Sequence, residues 1–564
     1  MGISSVGTLQ APLAEAQPFV GAEPLADRIE TDVAGSALTP DGVRASYVSF
    51  SDPLPLSSGP RPAECDRLGY LRFRSLQGPD DPAEANSVFV TMPGYVEGAG
   101  AVEPMARNIV RTADLGGQHV EVWVLDRRSN CLEDHRGLLA AQATRDPNSA
   151  ADYYTKGAPL DGATYAGERP ATDTEFLRTV GLKQTLNDQF AVMRQLPPAY
   201  RKTQVMCGGH SLGGLTTGAF ANWDFDGTPG HEQCAGYFVL DSRMDVTGAD
   251  PLRLAGLVGD ILPAGIAGTL QPANDLLPFL PATQPLFTSV ASMLTAAHIA
   301  PDATSTILPG LPTDLITQAA ARAVSARDYL DFALGQPDLH TRQFTNSAAL
   351  GLLLDDNSMP LGYGRVSIGT FDTPVEAKSF PAPYGMPSQL IGIFGGNKFV
   401  SPMPASGRVG WTNYDRVPAV GARTIAGDTY TTPGSEVTDL GDFARAWANP
   451  VADGFEWYFP TRLLTEILAA NTGDRNGDLA KLRYDVTPTS KVIYLDGGDS
   501  GFSGGLDSLG RTSVVTGTRV VAEGYNHLDV IAASWHQNKG GPEVISDSLI
   551  DFLNNQVLRS AVTE

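Results

Sequence analysis

A serine flanked by glycines is the feature that most constrains this chain. Residues 209–213 read GHSLG, after an apolar run at 203–207 and before a run of small residues at 214–220. A short apolar run is typical of a buried strand, and small residues allow a helix to pack closely on a sheet. The order predicts strand, tight turn and helix, with Ser211 exposed as a nucleophile at the tip of the turn. The alternative is an ordinary serine in a glycine-rich turn.

A serine hydroxyl is a poor nucleophile unless a base and an acid activate it. When a nucleophile sits on such a turn, these partners follow in the order Ser, Asp or Glu, His. Of the eight histidines, only His527 and His536 lie near the end of the chain. His527 follows an apolar strand and a Gly-Tyr-Asn turn, whereas His536 is expected on the next helix. The sequence therefore predicts His527 as the base, with a surface loop histidine as the alternative.

Three aspartates are candidates for the acid. Residues 491–495 predict a buried parallel strand, and Asp496 and Asp499 lie in the glycine-rich loop after it. Asp499 is the preferred acid and Asp496 the second choice. Asp241, which follows an earlier predicted strand, is the third, although capping of a loop is the better explanation for it.

An oxyanion site needs two main-chain N–H groups. One belongs to Leu212, the residue after the nucleophile, and the other to the loop after an early strand. Residues 87–92 predict that strand, and Pro93-Gly94-Tyr95 follows it. We therefore expect Tyr95 N–H to be the second donor, with Gly94 allowing the backbone to approach the substrate.

With these segments in place, the chain resembles the α/β-hydrolase-fold serine esterases and lipases. The resemblance covers roughly residues 40–245 and 490–564. Family members often carry His-Gly where this chain has Pro93-Gly94. The segments that match are the Pro93-Gly94-Tyr95 loop, the strand end at Asp126-Arg127-Arg128, the turn at Ser211, the Asp499 loop and the segment around His527.

The order of apolar strands and amphipathic helices predicts an α/β fold with a mostly parallel sheet covered on both faces. One predicted helix covers 181–196 and ends at two prolines. The strand at 236–240 is the sixth in the prediction, and the next comes only near 492. The predicted units are a core at 1–245 with an irregular arm at about 1–40, a mainly helical cap at 246–489, and the rest of the core at 490–564.

The cap is expected to form an apolar ceiling over the site, because insertions at this position emerge at the edge where ligands bind. Its first part, from about 255 to 298, is apolar and interrupted by prolines. Packing within the cap itself is the alternative explanation. The residues expected to contact substrate are His210, Tyr95, Leu277, Phe279, Leu280 and Phe287.

Composition limits the possible partners. The net charge is −23, without a run of lysine or arginine, which argues against nucleic acid and anionic membrane surfaces. No stretch is apolar enough to cross a bilayer, and no secretory signal is visible, so a cytoplasmic location is expected unless an export signal has been removed. A homo-oligomer is compatible with the sequence.

No metal or cofactor is expected. The four cysteines, Cys65, Cys131, Cys207 and Cys234, form no C-x-x-C pair, and two disulfides are possible but not required. Residues 474–478 resemble the start of a calcium loop. However, the glycine comes one position early and the terminal glutamate is missing, so a turn is predicted.

Hydrolysis of a bulky, lipophilic carboxylic ester or lactone is the function that these features favour. Zearalenone-type lactonases, which open a macrocyclic lactone, are one such group, although no motif here distinguishes them. Serine exopeptidases of the same fold are an alternative, but they usually carry an aromatic residue where this chain has Leu212. An acyltransferase, or a binding protein without catalytic activity, is the third possibility.

Overall fold

One mostly parallel sheet organises the molecule. The computed structural model describes residues 25–33, 41–244, 277–280, 283–313, 315–360, 362–379, 400–402, 407–471, 473–484, 491–500 and 517–558. Nine strands of this described chain lie in the order β1-β2-β3-β5-β4-β6-β7-β8-β9. They are β1 Ile29–Asp32, β2 Val43–Ser51, β3 Arg67–Ser75, β4 Ser87–Met92, β5 Val120–Asp126, β6 Val205–His210, β7 Gly236–Leu240, β8 Val492–Gly497 and β9 Thr518–Ala522.

The sheet has an antiparallel part and a parallel part. β1 pairs antiparallel with β2, β2 with β3, and β3 with β5. From β5 onward every pair is parallel. Without the additional strand β1, this order is that of the α/β-hydrolase fold, as predicted. The carboxyl ends of β4, β6, β7 and β8 therefore meet at one edge of the sheet.

Buried side chains cover both faces of the sheet. All residues of β4 and of β6 are buried, as expected for parallel strands with helices on both sides. Successive residues alternate between the faces. Phe89 belongs to the cluster beneath the helix Glu103–Leu115, whereas Val88 and Val90 belong to the cluster beneath the helix Leu182–Met193.

Helices connect the strands and make up much of the inserted segment. The helix predicted at 181–196 ends at Met193, and a separate helix begins at Pro198, where a missing N–H costs nothing. The helices are Glu103–Leu115, Arg136–Thr144, Ser149–Lys156, Ala171–Thr174, Leu182–Met193, Pro198–Gln204, Leu212–Asn222, Thr283–Ile299, Leu315–Ser325, Tyr329–Leu334, Asn346–Leu354, Leu440–Trp447, Thr461–Asn471, Asp529–Ala532 and Val544–Phe552, with a π-helical turn at Leu553–Leu558.

Two predictions need correction: the ends of one strand, and the absence of a strand in the N-terminal arm. The strand predicted at 203–207 begins at Val205 and continues to His210, because the preceding helix takes the residues up to Gln204. β1 lies within the segment expected to be an irregular arm and pairs along β2. The rest of that arm, and the apolar segment from about 255 up to residue 276, lie outside the described residues.

The segment between β7 and β8 packs on the core of the sheet. Leu294, Leu350 and Phe443 from this segment belong to the same buried cluster as Phe73 and Phe89 of the sheet. Short two-stranded sheets account for part of the region at 340–440. They pair Gly369–Phe371 with Trp411–Asn413, Val375–Ala377 with Val400–Pro402, and Ala422–Arg423 with Thr429–Thr431. The division into a cap at 246–489 and a two-part core stays a prediction. Within the described ranges, no helix has the length and apolar character needed to cross a membrane.

Candidate active site

Ser211 lies at the sharp turn between β6 and the helix Leu212–Asn222. Its backbone has φ 52° and ψ −118°, a left-handed conformation that costs free energy in a residue with a side chain. The flanking glycines are required by close contacts. A Cβ at Gly209 would lie 2.6 Å from Met92 O, and one at Gly213 would lie 2.1 Å from the same atom. The G-x-S-x-G pattern therefore allows the turn to pack against the end of β4.

The main chain of Ser211 is held by the end of β7. Its N–H donates to Leu240 O at 3.0 Å. The Ser242 hydroxyl donates to the Ser211 carbonyl oxygen. Both contacts come from the strand next to β6 in the sheet, so the strained turn is braced from one side. Nothing in the sequence pattern singles out Ser242.

His527 is paired with Asp241. The His527 Nδ1 atom lies 2.5 Å from Asp241 Oδ2, and both residues are buried. The other oxygen, Asp241 Oδ1, accepts from Gly497 N–H at 3.1 Å and from the Ser500 hydroxyl at 3.0 Å. Burial alone would raise the pKa of Asp241, but the hydrogen bond and the charge of His527 outweigh it, and the pKa is lowered. A carboxylate held in this way fixes the orientation of the imidazole.

The preference among the three acids is therefore corrected. Asp499 is exposed to solvent, and Asp496 accepts from Arg519 Nε at 2.5 Å. Asp241 immediately follows β7, which lies between β6 and β8, so its side chain is at the centre of the catalytic edge. The order of strands in the sheet, which spacing along the chain does not give, decides between the candidates. His536 is exposed and lies beyond the short helix Asp529–Ala532.

His210, the residue before the nucleophile, connects Glu97 to the His527 segment. His210 Nδ1 lies 2.8 and 3.1 Å from the two Glu97 carboxylate oxygens. Its Nε2 lies 3.0 Å from the His527 carbonyl oxygen, and the two imidazole rings are 4.4 Å apart. Because both nitrogens face acceptors, the ring is an imidazolium paired with a carboxylate.

Electrostatics agree with this assignment. Burial alone would lower the pKa of His210, but the charge and hydrogen bond of Glu97 raise it above its ordinary value. Burial alone would raise the pKa of Glu97, but the charge and hydrogen bond of His210 lower it. The substrate contact predicted for His210 is therefore corrected, since the side chain is fully buried and both nitrogens are already hydrogen-bonded.

Two buried charged residues hold the loop that was predicted to form the oxyanion site. The Gly94 N–H donates to Glu97 Oε2 at 2.6 Å. The Arg127 guanidinium donates to the carbonyl oxygens of Pro93 and Gly94, and it pairs with Glu456 at 2.5 Å. The loop is thus fixed through its peptide groups on both sides. Because Gly94 N–H is taken by Glu97, it is not available as an oxyanion donor.

The two expected oxyanion donors lie in different elements, but neither N–H has an acceptor in the described part of the chain. Leu212 is the first residue of the helix Leu212–Asn222, and the first N–H groups of a helix have no acceptor within it. Tyr95 N–H donates to no group in the described part of the chain. Both groups thus keep their hydrogen available, and the helix end adds favourable electrostatics for an anion. Their role stays a prediction.

The apolar residues expected to contact substrate are packed inside the protein. Phe279 lies against Tyr458, with ring centroids 5.1 Å apart, and Phe287 stacks on Phe455 at 4.8 Å. Leu280 is buried in the core beneath the sheet, and Leu277 is half-buried. The first three are therefore corrected to core residues. Their clusters also contain residues of the predicted core, so the alternative, packing within the cap itself, accounts for them only in part.

Tyr95 differs from these residues. Its ring packs edge-on against Phe459 at 4.9 Å. Its hydroxyl is buried and has no hydrogen-bond partner in the described chain. A buried hydroxyl without a partner is costly. A bound ligand could form the missing hydrogen bond, so the predicted contact of Tyr95 with substrate stays a prediction.

Four positions that the structure brings to the site were not predicted with these roles. Glu97, Arg127 and Ser242 brace the turn or the loop, and His210 was assigned to substrate. The strand end at Asp126-Arg127-Arg128 had matched the family pattern, and an acid two residues after Tyr95 was a visible signal. A histidine directly before the nucleophile needs an acid partner when buried, and that rule identifies Glu97.

The four cysteines form two disulfides. Cys207 pairs with Cys234, and Cys65 pairs with Cys131. Cys207 lies on β6, so its bond ties the strand of the nucleophile to the segment just before β7. A disulfide sulfur is not a competing nucleophile.

The likenesses to solved structures are distant. No protein-family model matches the chain, and no curated protein matches it. A Sulfolobus solfataricus protein described as a lipase is 12% identical, with 94% of this chain and 99% of that chain covered and a TM-score of 0.42. A thermophilic esterase from Thermogutta terrifontis is 8% identical, with 87% and 94% covered and a TM-score of 0.30. Juvenile hormone epoxide hydrolase from the silkworm Bombyx mori is 9% identical, with 95% and 80% covered and a TM-score of 0.30.

The strand order and the strained serine turn carry the assignment of the fold. β4, β6, β7 and β8 bring the loop after Met92, Ser211, Asp241 and the loop after Gly497 to one edge. The chain has the α/β-hydrolase fold.

Proposed function

We propose that this protein is a serine hydrolase that cleaves carboxylic esters or lactones through an acyl-enzyme. The observation that carries the proposal is the Asp241–His527 pair, whose imidazole lies 4.4 Å from the ring of His210, the residue before the strained Ser211. Ser211 attacks the carbonyl carbon while His527 takes its proton. Asp241 orients the imidazole and stabilises its charge. The ester C–O bond then breaks, and His527 gives its proton to the oxygen of the leaving alcohol. His527 next takes a proton from a water molecule, whose attack on the acyl-enzyme releases the acid and restores Ser211.

Main-chain groups stabilise the tetrahedral oxyanion in this proposal. Leu212 N–H and Tyr95 N–H are the donors, and loss of one such donor typically raises the barrier by about 3–4 kcal/mol. The contacts of Glu97 and Arg127 to the loop before Tyr95 support the proposal. They fix the donor before the substrate arrives, so little reorganisation is needed during the reaction.

The three carboxylates that hold His527, His210 and the loop after Met92 are all paired, which supports ester over peptide substrates. A serine exopeptidase needs a free acidic group to bind the substrate amine. Glu97, Asp241 and Glu456 are each paired with a histidine or an arginine. The aromatic pair Tyr95 and Phe459 beside the loop suits a lipophilic group instead, such as the bulky ester or lactone that the sequence favours.

Covalent labelling tests the nucleophile directly. A fluorophosphonate probe should label the wild-type protein at Ser211, and the Ser211→Ala variant should neither be labelled nor hydrolyse aryl esters. Ser242→Ala is the matched control and should keep the label, because its hydroxyl only braces the turn. Labelling at another residue would contradict the proposal, as would turnover by Ser211→Ala.

A substrate panel separates the alternatives. Aryl esters and lactones of increasing size are compared with aminoacyl anilides, using the same preparation and Ser211→Ala as the blank. We expect turnover of esters or lactones and none of the anilides. Faster cleavage of anilides would favour an exopeptidase, and labelling without hydrolysis would favour an acyltransferase.

The two disulfides indicate the type of compartment in which the protein functions. Disulfides persist in oxidising compartments and are rare in the cytoplasm. Cys65–Cys131 and Cys207–Cys234 account for all four cysteines. We therefore propose an oxidising compartment in place of the cytoplasmic location expected from the sequence. Alkylation and mass spectrometry of the protein from its native source should find no free thiol.

A further inference from the structure

Three acidic side chains that have no role in the proposed reaction meet within the segment between β7 and β8. Asp355 and Asp356 directly follow the helix Asn346–Leu354, and Glu436 precedes the helix Leu440–Trp447. One carboxylate oxygen from each lies within 4.8 Å of the others. The two segments are distant along the chain, so the fold brings the three charges together.

Asp355 provides an independent sign that a ligand belongs here. It is only 1% exposed, as is Glu436. Asp355 Oδ2 accepts from Asn357 N–H at 3.1 Å, but the buried Oδ1 accepts from no residue that the structure describes. A buried carboxylate oxygen without a donor is among the costliest groups in a protein interior. A cation would complete it.

No basic side chain in the described ranges forms an ion pair with any of the three carboxylates. The charge of Arg365 acts on Asp356. However, the Arg365 Nε and Nη2 atoms donate to the carbonyl oxygens of Met359 and Pro360. The negative charges are thus concentrated without an equal positive charge from the protein.

We propose that Asp355, Asp356 and Glu436 bind a calcium ion. A ligand set made only of oxygen atoms selects hard cations such as Ca²⁺ and Mg²⁺. Mg²⁺ keeps several of its waters and is usually bound through one or two carboxylates, whereas Ca²⁺ accepts several carboxylates in a flexible geometry. Three carboxylates that meet in a buried place therefore favour calcium.

This site is connected to the segment of the catalytic histidine. Asn526, the residue before His527, donates to Asp356 Oδ2 at 3.3 Å and to the Ser367 hydroxyl at 2.8 Å. Its own N–H donates to Asp529 at 2.8 Å. A bound ion would fix the inserted segment against the His527 loop. Only this consequence rests on the proposed hydrolase function; the binding of the ion does not.

Calorimetry of the full chain, stripped with a chelator and titrated with calcium chloride, tests the proposal. We expect one calcium ion per chain and a higher melting temperature with calcium than with chelator. Asp355→Asn and Glu436→Gln should each weaken binding by roughly 100-fold or more, since each removes a charged ligand. Glu543→Gln, a change at a buried carboxylate that caps the helix Val544–Phe552, should bind calcium as the wild type does.

The variants remain informative even if calcium is important for folding. In chelator, Asp355→Asn should melt at or above the wild-type temperature, because it removes repulsion between buried charges. Terbium luminescence on the wild-type protein, displaced by calcium, measures the site without any substitution. Absence of binding would overturn the proposal and leave the carboxylates sharing protons. So would wild-type affinity in both variants, or preference for magnesium over calcium. No substrate is used, so these outcomes are independent of the proposed hydrolysis.

Discussion

Replacing Glu97 should separate the two contributions that its carboxylate makes. In the folded protein it accepts from Gly94 N–H at 2.6 Å and pairs with the His210 imidazolium at 2.8 Å. Glu97→Ala leaves a buried cation and a buried N–H without partners. Breaking a buried ion pair by removing one member costs about 3–5 kcal/mol, and we expect a loss of unfolding free energy in that range.

Glu97→Gln should recover much of this loss. The amide oxygen can accept from Gly94, and the amide nitrogen can donate to Nδ1 of a neutral His210. The His210 Nε2–H can still donate to the His527 carbonyl oxygen. All hydrogen bonds are kept and only the charge pair disappears, so we expect a loss of about 1–2 kcal/mol.

The pH dependence gives a further check. The pKa of Glu97 is lowered in the folded protein, so its contribution is present above its unfolded pKa and is lost as the pH falls through the folded pKa. The pKa of His210 is raised, so its contribution is complete below its unfolded pKa and is lost as the pH rises through the folded pKa. The difference between wild type and Glu97→Gln should be largest between about pH 4.3 and 6.5.

Urea denaturation and ester hydrolysis are the two assays. Because His210 holds the His527 carbonyl, Glu97→Ala should lower kcat by about 100-fold, the usual cost of a misplaced catalytic group. Glu97→Gln should be much closer to wild type. Glu103→Ala is the control, since it breaks another buried ion pair, with Arg107 and Arg445, and should lower stability without lowering kcat. A loss below about 1 kcal/mol in Glu97→Ala, or equal behaviour of the Ala and Gln variants, would refute this reasoning.

Three further predictions concern the acid, the pocket and the disulfides. Asp241→Asn should lower kcat by about 10⁴-fold, as the same change does in a known triad, whereas the exposed Asp499→Asn should leave it unchanged; the reverse result would restore Asp499. Tyr95→Phe should raise KM for polar esters severalfold and leave the melting temperature unchanged or higher, because it removes a buried hydroxyl without a partner; a lower melting temperature would count against a ligand contact. Replacing Cys65 and Cys131 by serine should lower the unfolding free energy by about 4 kcal/mol, given their separation of 66 residues; urea denaturation that shows no loss would contradict it.

The sequence was sufficient to predict those elements that depend only on residues close together in the chain. The serine turn is set by glycines that no larger residue can replace, and the strands at 87–92 and 236–240 are short apolar runs with clear ends. The helix at 182–193 follows from its apolar stripe. Each of these depends on neighbours in the chain, and each was predicted within a few residues.

The choice of acid depends on the order of the strands in the sheet, which the order of the strands along the chain does not give. Asp241 and Asp499 both follow apolar strands, and only the position of β7 between β6 and β8 makes one of them the neighbour of His527. The same holds for Glu97 and His210, which are far apart in sequence. The sequence also does not show whether apolar residues such as Phe279 and Phe287 line a pocket or pack in a core; in the structure they pack in a core.

The position of Asp241 has a consequence for how the enzyme matures. Ser211, Asp241 and the loop after Met92 all precede the inserted segment, and His527 alone of the catalytic groups follows it. In the proposed mechanism, the ribosome would therefore produce the nucleophile, its acid and the loop after Met92 well before the base. Until the chain has been translated past residue 527, the serine would lack the group that removes its proton. The proposed activity would then begin only after the long insertion has been made and the last part of the sheet has docked.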